Sequence, residues 1–282
     1  MIIQTHEHLQ EIQTRFNTEP VYVLPVFVNQ YTHPSSNTLS SLHLLFENGD
    51  YVCIPYHHLD ADSMRLDTTT PYNVRTLYKK DLLLALNIPQ AQVMDIATVL
   101  QMNGQPLPEL RDFFTTSMLA TKNQFKFMHI HLAIPLTNWM ECGENFLRHL
   151  HTVYQPYATS HDTGYEFTNT IVIPTLAEIE RAGIHVNEME IIEHFGESSK
   201  KYITNSTVFT NYNIYTSTGR PSNAFGGINF AGLHKTDGSR AAFTSRFGTE
   251  GKLVQFDYEA FHLRLVASKI NYKLPDTSIH TY

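Results

Sequence analysis

A turn signal between two short apolar runs constrains the first half of the chain most strongly. Leu42–Glu47 and Tyr51–Pro55 flank Asn48-Gly49-Asp50, and an Asn-Gly pair in that setting is typical of a β-hairpin. Val21–Val28 is a third apolar run, of the kind that forms a buried strand. Its Pro25 favours an edge position or a bulge, because proline cannot donate to a sheet ladder.

Helical spacing follows the hairpin. Leu77–Leu86 sets its leucines on one side and ends before Asn87-Ile88-Pro89, because the residue before proline avoids the helical region. Leu107–Thr121 and Leu132–Tyr154 are further helix candidates, and Pro135 is a candidate break in the second. Strands together with helices predict a mixed α/β fold.

We divide the chain into two units, residues 1–157 and 158–282. In the second, Phe167–Gly183 has apolar residues at helical spacing and a glycine stop. Asn187 is an N-cap candidate for a helix over Glu188–Phe195. Three further elements are predicted: strands and turns over Thr204–Ser222, a strand over Leu253–Asp257 and a helix over Ala260–Ile270.

Composition restricts the class of protein. Hydrophobic residues make up 42% of the 282 and charged residues 17%, which is typical of a folded chain. No run reaches the ~18 apolar residues of a membrane span, and the polar Met1–Glu19 does not resemble a signal peptide. With Cys53 and Cys142 as the only cysteines, no disulfide framework is available. We expect a cytoplasmic protein, in the bacterial host if viral, without a membrane partner.

Charge is distributed unevenly along the chain. The formal net charge is −7, yet Lys200–Lys252 carries seven Lys and Arg residues against only Asp237 and Glu250. A basic stretch of this kind could follow the phosphates of a nucleic acid. It could equally be a solvated surface that happens to be basic.

Several segments of the second half carry motifs. Asp257–Arg264 reads D-Y-E-A-F-H-L-R after the predicted strand, and Ser278–Thr281 reads S-I-H-T. Upstream, Thr216–Arg220 reads T-S-T-G-R and Ile173–Val186 reads I-P-T-L-A-E-I-E-R-A-G-I-H-V. Taken in their order along the chain, these segments resemble family A DNA polymerases, the DNA polymerase I type. That family carries T-x-T-G-R, D-Y-S-x-I-E-L-R and D-I-H-T elements. Lys235–Phe243 loosely resembles another segment of that family.

The resemblance implies a two-metal active site. Asp257 would bridge two Mg²⁺ ions and the backbone carbonyl of Tyr258 would add a ligand, since magnesium prefers hard oxygen ligands. Such a pair stabilises the attacking and leaving oxygens of phosphoryl transfer. Arg264 would be a catalytic residue on the following helix, and Tyr258, His262 and His280 would bind the nucleotide. From the residues alone, Asp257 could also be a strand-end residue that caps the helix.

The resemblance also implies DNA-binding residues: Arg220, Lys235, Arg240 and Asn229. Arg220 would contact the minor groove, whose degenerate pattern suits an enzyme that reads no particular sequence. By itself, Arg220 could be a surface arginine in a glycine turn. Asn229 stands where the family reads N-L-Q-N-I-P, and the Gln and second Asn of that element are missing here.

In this family the first unit is a 3′–5′ exonuclease domain with a ribonuclease-H-like fold. Ser41–His58, Tyr78–Leu82 and Met94–Ala97 resemble its hairpin and helix-start motifs. The metal pair of such an exonuclease needs D-x-E on the first strand, and no Asp or Glu occurs over residues 20–46. Asp81 alone cannot hold the pair, so we expect a degenerate domain without proofreading.

Two parts of a family A polymerase are not found. Only residues 187–215 separate the Ile173–Val186 element from T-S-T-G-R, so we expect the thumb to be reduced or absent. The fingers helix and the second metal carboxylate are missing up to Tyr282. We therefore expect the N-terminal part of a split or truncated, phage-like DNA polymerase, inactive alone. Its partners would be primer-template DNA, deoxynucleoside triphosphates and a second polymerase chain. The alternative is a non-catalytic DNA-binding or assembly module derived from such an enzyme.

His262 provides a test of the resemblance. It stands where the family has the glutamate that crowds the sugar 2′ position, and an imidazole is bulky enough to do the same. In the completed enzyme, His262→Ala should raise ribonucleotide incorporation, measured by primer extension with competing ribo- and deoxynucleotides. Equal discrimination by the wild type and the variant would contradict this role.

Overall fold

A computed structural model describes residues 1–28, 33, 37–124, 134–216, 221–223, 233, 236–254, 258 and 260–274. Of residues 122–124 and 201 it describes the backbone alone. Within these ranges the chain combines helices with a mixed sheet, which confirms the predicted α/β class. None of the helices in this part of the chain is long and apolar enough to cross a membrane.

A five-stranded sheet forms the centre of the first unit. Its strands lie in the order β3-β2-β1-β4-β5. The β1–β2 and β2–β3 pairs are antiparallel, and the β1–β4 and β4–β5 pairs are parallel. The strands are β1 Pro20–Phe27, β2 Leu39–Phe46, β3 Tyr51–Pro55, β4 Asn73–Thr76 and β5 Val93–Asp95.

The predicted hairpin is confirmed. Of the two alternatives predicted for the Pro25 strand, the edge position is wrong, and a ladder irregularity lies close to the proline. β1 has neighbours on both sides: Pro25 lies opposite Leu42 of β2, and β4 pairs with Pro20–Tyr22. The β4 side of the ladder has therefore ended before Pro25, so its missing N–H can face a side without a strand. The ladder irregularity lies between Val26 and Phe27, next to the proline.

The described helices are α1 His6–Phe16, α2 Lys79–Ala85, α3 Ile96–Met102, α4 Thr116–Gln124, α5 Leu136–Tyr154, α6 Thr163–Phe167, α7 Ile173–Ala182, α8 Glu188–Phe195 and α9 Phe261–Lys269. A π-helical turn, Thr168–Val172, joins α6 to α7. α5 starts directly after Pro135, as the sequence predicts.

The helix predicted over Leu107–Thr121 is instead two pieces. A 3₁₀ turn at Leu110–Phe113 precedes α4, and Phe114 between them is extended (φ −68°, ψ 128°). This break lets both phenylalanines face α5: Phe113 packs edge-on against Phe146 and Phe114 against Trp139. Packing of the two rings has overridden the helical spacing.

Helices cover both faces of the sheet. Side chains alternate across β1, with Val21 and Val23 in one core and Tyr22 and Leu24 in the other, as the two-residue period of a strand requires. The first core is completed by α1, α2 and α7, and the second by α3, α5 and Tyr165 of α6. Helices beyond residue 157 therefore share their cores with the sheet.

The second unit has a smaller core of its own. Three short strands lie in the order β6-β8-β7, over Ile184–His185, Thr207–Val208 and Ile203–Thr204. Their core holds Val186, Ile191, Val208 and Ala242. Asn187 caps α8 as predicted, accepting a hydrogen bond from the Met189 N–H at 3.1 Å. Beyond them, β9 Tyr212–Asn213 pairs with β10 Ser222–Asn223.

The strand predicted over Leu253–Asp257 is not borne out where the structure describes it. Leu253 and Val254 lie outside any strand and are 59% and 69% exposed, while residues 255–257 lie outside the described part. The helix that follows is confirmed as α9. It begins after Ala260, which has left-handed geometry (φ 49°, ψ 40°).

Gly183 ends α7 in a conformation that only glycine adopts readily (φ 60°, ψ −177°). An added Cβ would stand 2.5 Å from Thr207 Cγ2 and 3.0 Å from the Val208 carbonyl oxygen. We expect Gly183→Ala to lower the free energy of unfolding by about 2–5 kcal/mol, from backbone strain and overpacking together.

Gly104→Ala is the matched control for this change. Gly104 also has a positive φ, 66°, but an added Cβ would meet nothing within 4 Å. Gly104→Ala should lower the free energy of unfolding by only about 1 kcal/mol. Urea denaturation of both variants measures the difference. Equal costs would show that the contact with β8 is unimportant.

Candidate functional site

Five of the predicted site residues lie outside the described residues: Asp257, His280, Arg220, Lys235 and Asn229. Their roles remain predictions. Among the described residues, no group of three or more His, Cys, Asp or Glu side chains could hold a metal ion.

The other predicted site residues are Tyr258, His262, Arg264 and Arg240. The rings of Tyr258 and His262 both contact Phe261, with centroids 5.6 and 5.7 Å from it. Arg264, half-buried on α9, donates its backbone N–H to the Ala260 carbonyl at 3.0 Å. Arg240 is exposed and donates to the Leu233 carbonyl at 3.0 Å. Each of the two predicted nucleotide-binding rings therefore lies beside Phe261, and their role remains a prediction.

α9 exposes apolar side chains on most of its circumference. Phe261, Leu263, Leu265 and Val266 lie on α9, and Leu253, Val254, Tyr258, Ile270 and Tyr272 lie before or after it in the sequence. We call these exposed apolar side chains together the α9 surface. Each is between 46% and 80% exposed, and within α9 only Ala267 is buried. Polar residues are interspersed among them in α9, namely His262, Arg264, Ser268 and Lys269. A large exposed apolar patch marks an interaction surface.

A buried polar cluster, missed by sequence reasoning, joins α2, α7 and β9. Glu180 is fully buried and accepts hydrogen bonds from Lys80 Nζ and the Tyr212 N–H, both at 2.6 Å. His33 Nε2 lies 3.0 Å from its other oxygen. Lys80 Nζ also contacts Asn211 Oδ1, at 2.8 Å, and the Tyr212 carbonyl. No sequence pattern indicates a pair separated by 100 positions.

Asp95, which resembles the start of a family motif, caps α3 from inside the core. It is fully buried and accepts the N–H groups of Lys79 and Thr98 at 2.8 and 2.7 Å, and the Thr98 hydroxyl at 2.8 Å. Tyr215 donates its hydroxyl to both Asp95 oxygens, at 3.0 and 2.9 Å. Burial raises the pKa of Asp95, and these hydrogen bonds oppose the rise.

Lys79 lies beside this carboxylate and is 1% exposed. Its Nζ donates to the Asn169 carbonyl at 2.8 Å, within the π-helical turn. Burial lowers the pKa of Lys79 to about 8, against the opposing effect of Asp95. Successive lysines of α2 therefore contact two different parts of the second unit.

Asp81, the one candidate exonuclease carboxylate, lines two cavities of about 280 and 740 Å³. Burial raises the pKa of its carboxyl, and Lys80 opposes the rise. Among the described residues no hydrogen bond reaches this carboxylate. Its environment thus differs from that of Asp95, which has four donors.

Comparisons with known proteins show the fold. No family model matches the chain, and no curated protein does. Among solved structures, the chain is similar to the POL domain of Pol1 from M. smegmatis, in complex with DNA primer-template and dNTP, with a TM-score of 0.57 and 12% sequence identity. The match covers 86% of this chain and 58% of that one. The chain therefore has a DNA-polymerase-like fold and spans somewhat more than half of that structure.

Asp81 gives a pH-dependent prediction. Burial raises the pKa of the Asp81 carboxyl above its value in the unfolded chain, about 3.9. The folded state therefore binds the carboxyl proton more tightly, and the free energy of unfolding falls as pH rises from the unfolded pKa through the folded pKa. Asp81→Asn should therefore be more stable than the wild type at pH 7, and the difference should vanish below about pH 4.

Asp67→Asn is a control of opposite sign. Hydrogen bonds from Thr69 lower the pKa of the exposed Asp67. The stabilisation that this carboxylate gives the folded state is therefore present at neutral pH and lost as pH falls. Asp67→Asn should be no more stable than the wild type at pH 7, by thermal denaturation across a pH series. An Asp81→Asn variant that is less stable at pH 7 would contradict the prediction.

Proposed function

We propose that this chain is part of a family A DNA-directed DNA polymerase that adds deoxynucleotides to a primer 3′ end under template direction. The observation that carries the proposal is the fold match, which covers 86% of the chain. The matched structure is described as a complex with DNA primer-template and dNTP. We extend those two partners to this chain.

Two lines of support are independent of each other. At 12% identity the fold match rests on the path of the chain, whereas the family resemblance rests on short motifs in a fixed order. Both point to the same class of enzyme. A fold alone does not define a function, so the motif around Asp257 supplies the chemical part of the proposal.

In the proposed site, Asp257 and the backbone carbonyl of Tyr258 would hold two Mg²⁺ ions. When bound, such ions stabilise the oxygens that attack and leave during phosphoryl transfer. Arg264 would support the site from α9. His262 and His280 would contact the nucleotide, and His262 would exclude the 2′-hydroxyl.

We further propose that a second polymerase chain completes the enzyme and supplies the fingers and the second carboxylate. The α9 surface supports this, because Phe261, Leu265 and the other side chains there need cover. In the sequence, the surface overlaps the proposed metal motif Asp257–Arg264, where a completing segment would have to lie. An apolar interface core of this kind is typical of an obligate assembly.

The first unit would be a degenerate exonuclease-like domain of ribonuclease-H-like type. Its central mixed sheet is compatible with such a domain. The first strand, β1, carries no acidic residue, and Asp81 is the one candidate ligand. Primer-template binding would instead use the second unit, through Arg220, Lys235, Arg240 and Asn229.

Primer extension tests the proposal. The complex captured through a tag on this chain should extend a primer with Mg²⁺ and deoxynucleotides, and Asp257→Asn should reduce the rate at least about a thousandfold, as loss of an essential catalytic group does. Asp81→Asn is the matched control: it removes one carboxylate outside the proposed site and should leave the rate unchanged.

Two results would count against the proposal. Extension that survives Asp257→Asn would assign the activity to another site or another protein. A captured complex that binds DNA but extends no primer would favour the non-catalytic DNA-binding module.

A further inference from the structure

A cavity lies at the carboxyl ends of two parallel strands of the first unit. β4 pairs with Pro20–Tyr22 of β1, and β1 continues to Phe27. The space beside this end of β1 is a cavity of about 740 Å³, lined by Leu24 and Phe27 of β1 and by Thr76 of β4. This volume is typical of a ligand-binding pocket, and open α/β sheets bind ligands beyond the carboxyl ends of their strands.

The walls of this cavity are largely apolar. They include the side chains of Leu24, Leu77 and Leu110 and the rings of Phe27 and Phe146. A ligand held there would have its apolar body removed from water, which is favourable. The few polar groups of such a pocket then decide which ligand it takes.

The polar groups of the cavity favour a positively charged ligand. Asp81 and Glu109 both line it, and among its lining residues in the described part of the chain none is basic. Glu109 is exposed and forms an ion pair with Arg111 at 2.6 Å. Burial raises the pKa of Tyr78, also in the wall, to about 12, and Asp81, Asp95 and Glu109 add to the rise. These carboxyl groups give the cavity a negative potential, which attracts a cation.

Asp81 has no hydrogen-bond partner among the described residues. The adjacent Lys80 cannot supply a donor, because all three of its N–H groups are in use. They donate to Glu180 Oε1, Asn211 Oδ1 and the Tyr212 carbonyl. A carboxylate without a donor in an apolar setting costs stability, and a bound cation would offset that cost.

A smaller cavity, of about 280 Å³, meets the first at Asp81. The two share Tyr78, Asp81 and Leu107, and the smaller one extends to Ile173 of α7. Asp81 is half-buried, so a ligand can reach its carboxylate in the folded chain. The carboxylate therefore stands between two spaces, each of which can accept part of a ligand.

We propose that the two cavities form a binding site for a small organic cation, in which Asp81 pairs with an amidinium, guanidinium or ammonium group and the apolar walls hold the body of the ligand. Hydrogen bonds between such a cation and a carboxylate are charge-assisted, and a planar pair of N–H donors binds both carboxylate oxygens at once. The inference goes beyond the proposed polymerase function and does not rest on it. The residues that line the larger cavity lie between positions 24 and 146, far in the sequence from the Asp257 motif.

Benzamidine is the probe that tests the site, and benzamide is its neutral counterpart of nearly the same shape. Both are titrated into the full chain at mildly alkaline pH, and their dissociation constants are measured by ligand-detected NMR. The wild type should bind benzamidine at least about tenfold more tightly than benzamide, the effect of a hydrogen bond to a charged group. Asp81→Asn should abolish this preference, because it keeps the shape of the side chain and removes its charge.

Asp67→Asn is the matched control for the loss of charge. Asp67 is exposed and is not among the residues that line either cavity, so this variant should keep the wild-type preference.

Leu107→Trp tests the cavity with the charge in place. It enlarges a side chain in the wall that both cavities share, and it should weaken the binding of both probes at least about tenfold, since the ligand body then loses its space. Leu59→Trp adds the same ring at a position that is 77% exposed and should leave both dissociation constants unchanged.

Three results would overturn the inference. One is a preference for benzamidine that survives Asp81→Asn, since the cation would then bind elsewhere. Another is a preference that Asp67→Asn removes as fully as Asp81→Asn does, because that would indicate general surface charge. The third is a wild type that binds no benzamidine at millimolar concentration. None of them bears on primer extension, which the proposed function predicts without any such ligand.

Discussion

The buried pair of Lys80 and Glu180 is the interaction on which the join between the two halves depends. Glu180 has no exposed surface and sits on α7, opposite the first turn of α2. An isolated carboxylate there would be strongly unfavourable, so the site requires its donors: Lys80 Nζ, the Tyr212 N–H and the His33 ring. A buried pair of this kind adds little net stability over an apolar contact, but breaking it by removing one partner is costly. It therefore fixes which surfaces meet.

The same turn of α2 extends this constraint. Lys79 contacts the Asn169 carbonyl while Lys80 contacts Glu180, so one helix start determines where both the π-helical turn and α7 lie. The N–H of Lys79 also binds Asp95, which in turn binds Tyr215. A continuous set of hydrogen bonds thus runs from Asp95, at the end of β5, into the segment that precedes the predicted DNA-contact element.

Sequence reasoning succeeded where the cause of a structure is local. The Asn48-Gly49 turn, the Gly183 stop and the Asn187 cap each depend on a few neighbouring residues, and all three are present. It failed where distant contacts decide. The Phe113 and Phe114 rings break a helix because α5 offers them a surface, and Pro25 occupies a central strand because its β4 neighbour ends early.

The candidate site was less accessible to sequence reasoning than the fold. Motif order indicated the region around Asp257 and α9, and the helix is present there. Glu180 lies within the Ile173–Val186 motif, but no sequence pattern indicated that it pairs with Lys80 or that Tyr215 pairs with Asp95, because these partners lie 100 and 120 positions away. The pairing of polar residues that are far apart in the sequence is decided by packing, and local sequence patterns do not record it.

Packing makes the first unit necessary to the second. Ile173 and Ala177 of α7 belong to the core on one face of the sheet, and Tyr165 of α6 belongs to the core on the other. Without the first unit these side chains, and Glu180 with them, would face water or lose their partners. Loss of the sheet would remove the apolar surface on which the second unit is built. The second unit therefore needs the sheet of the first for its own packing.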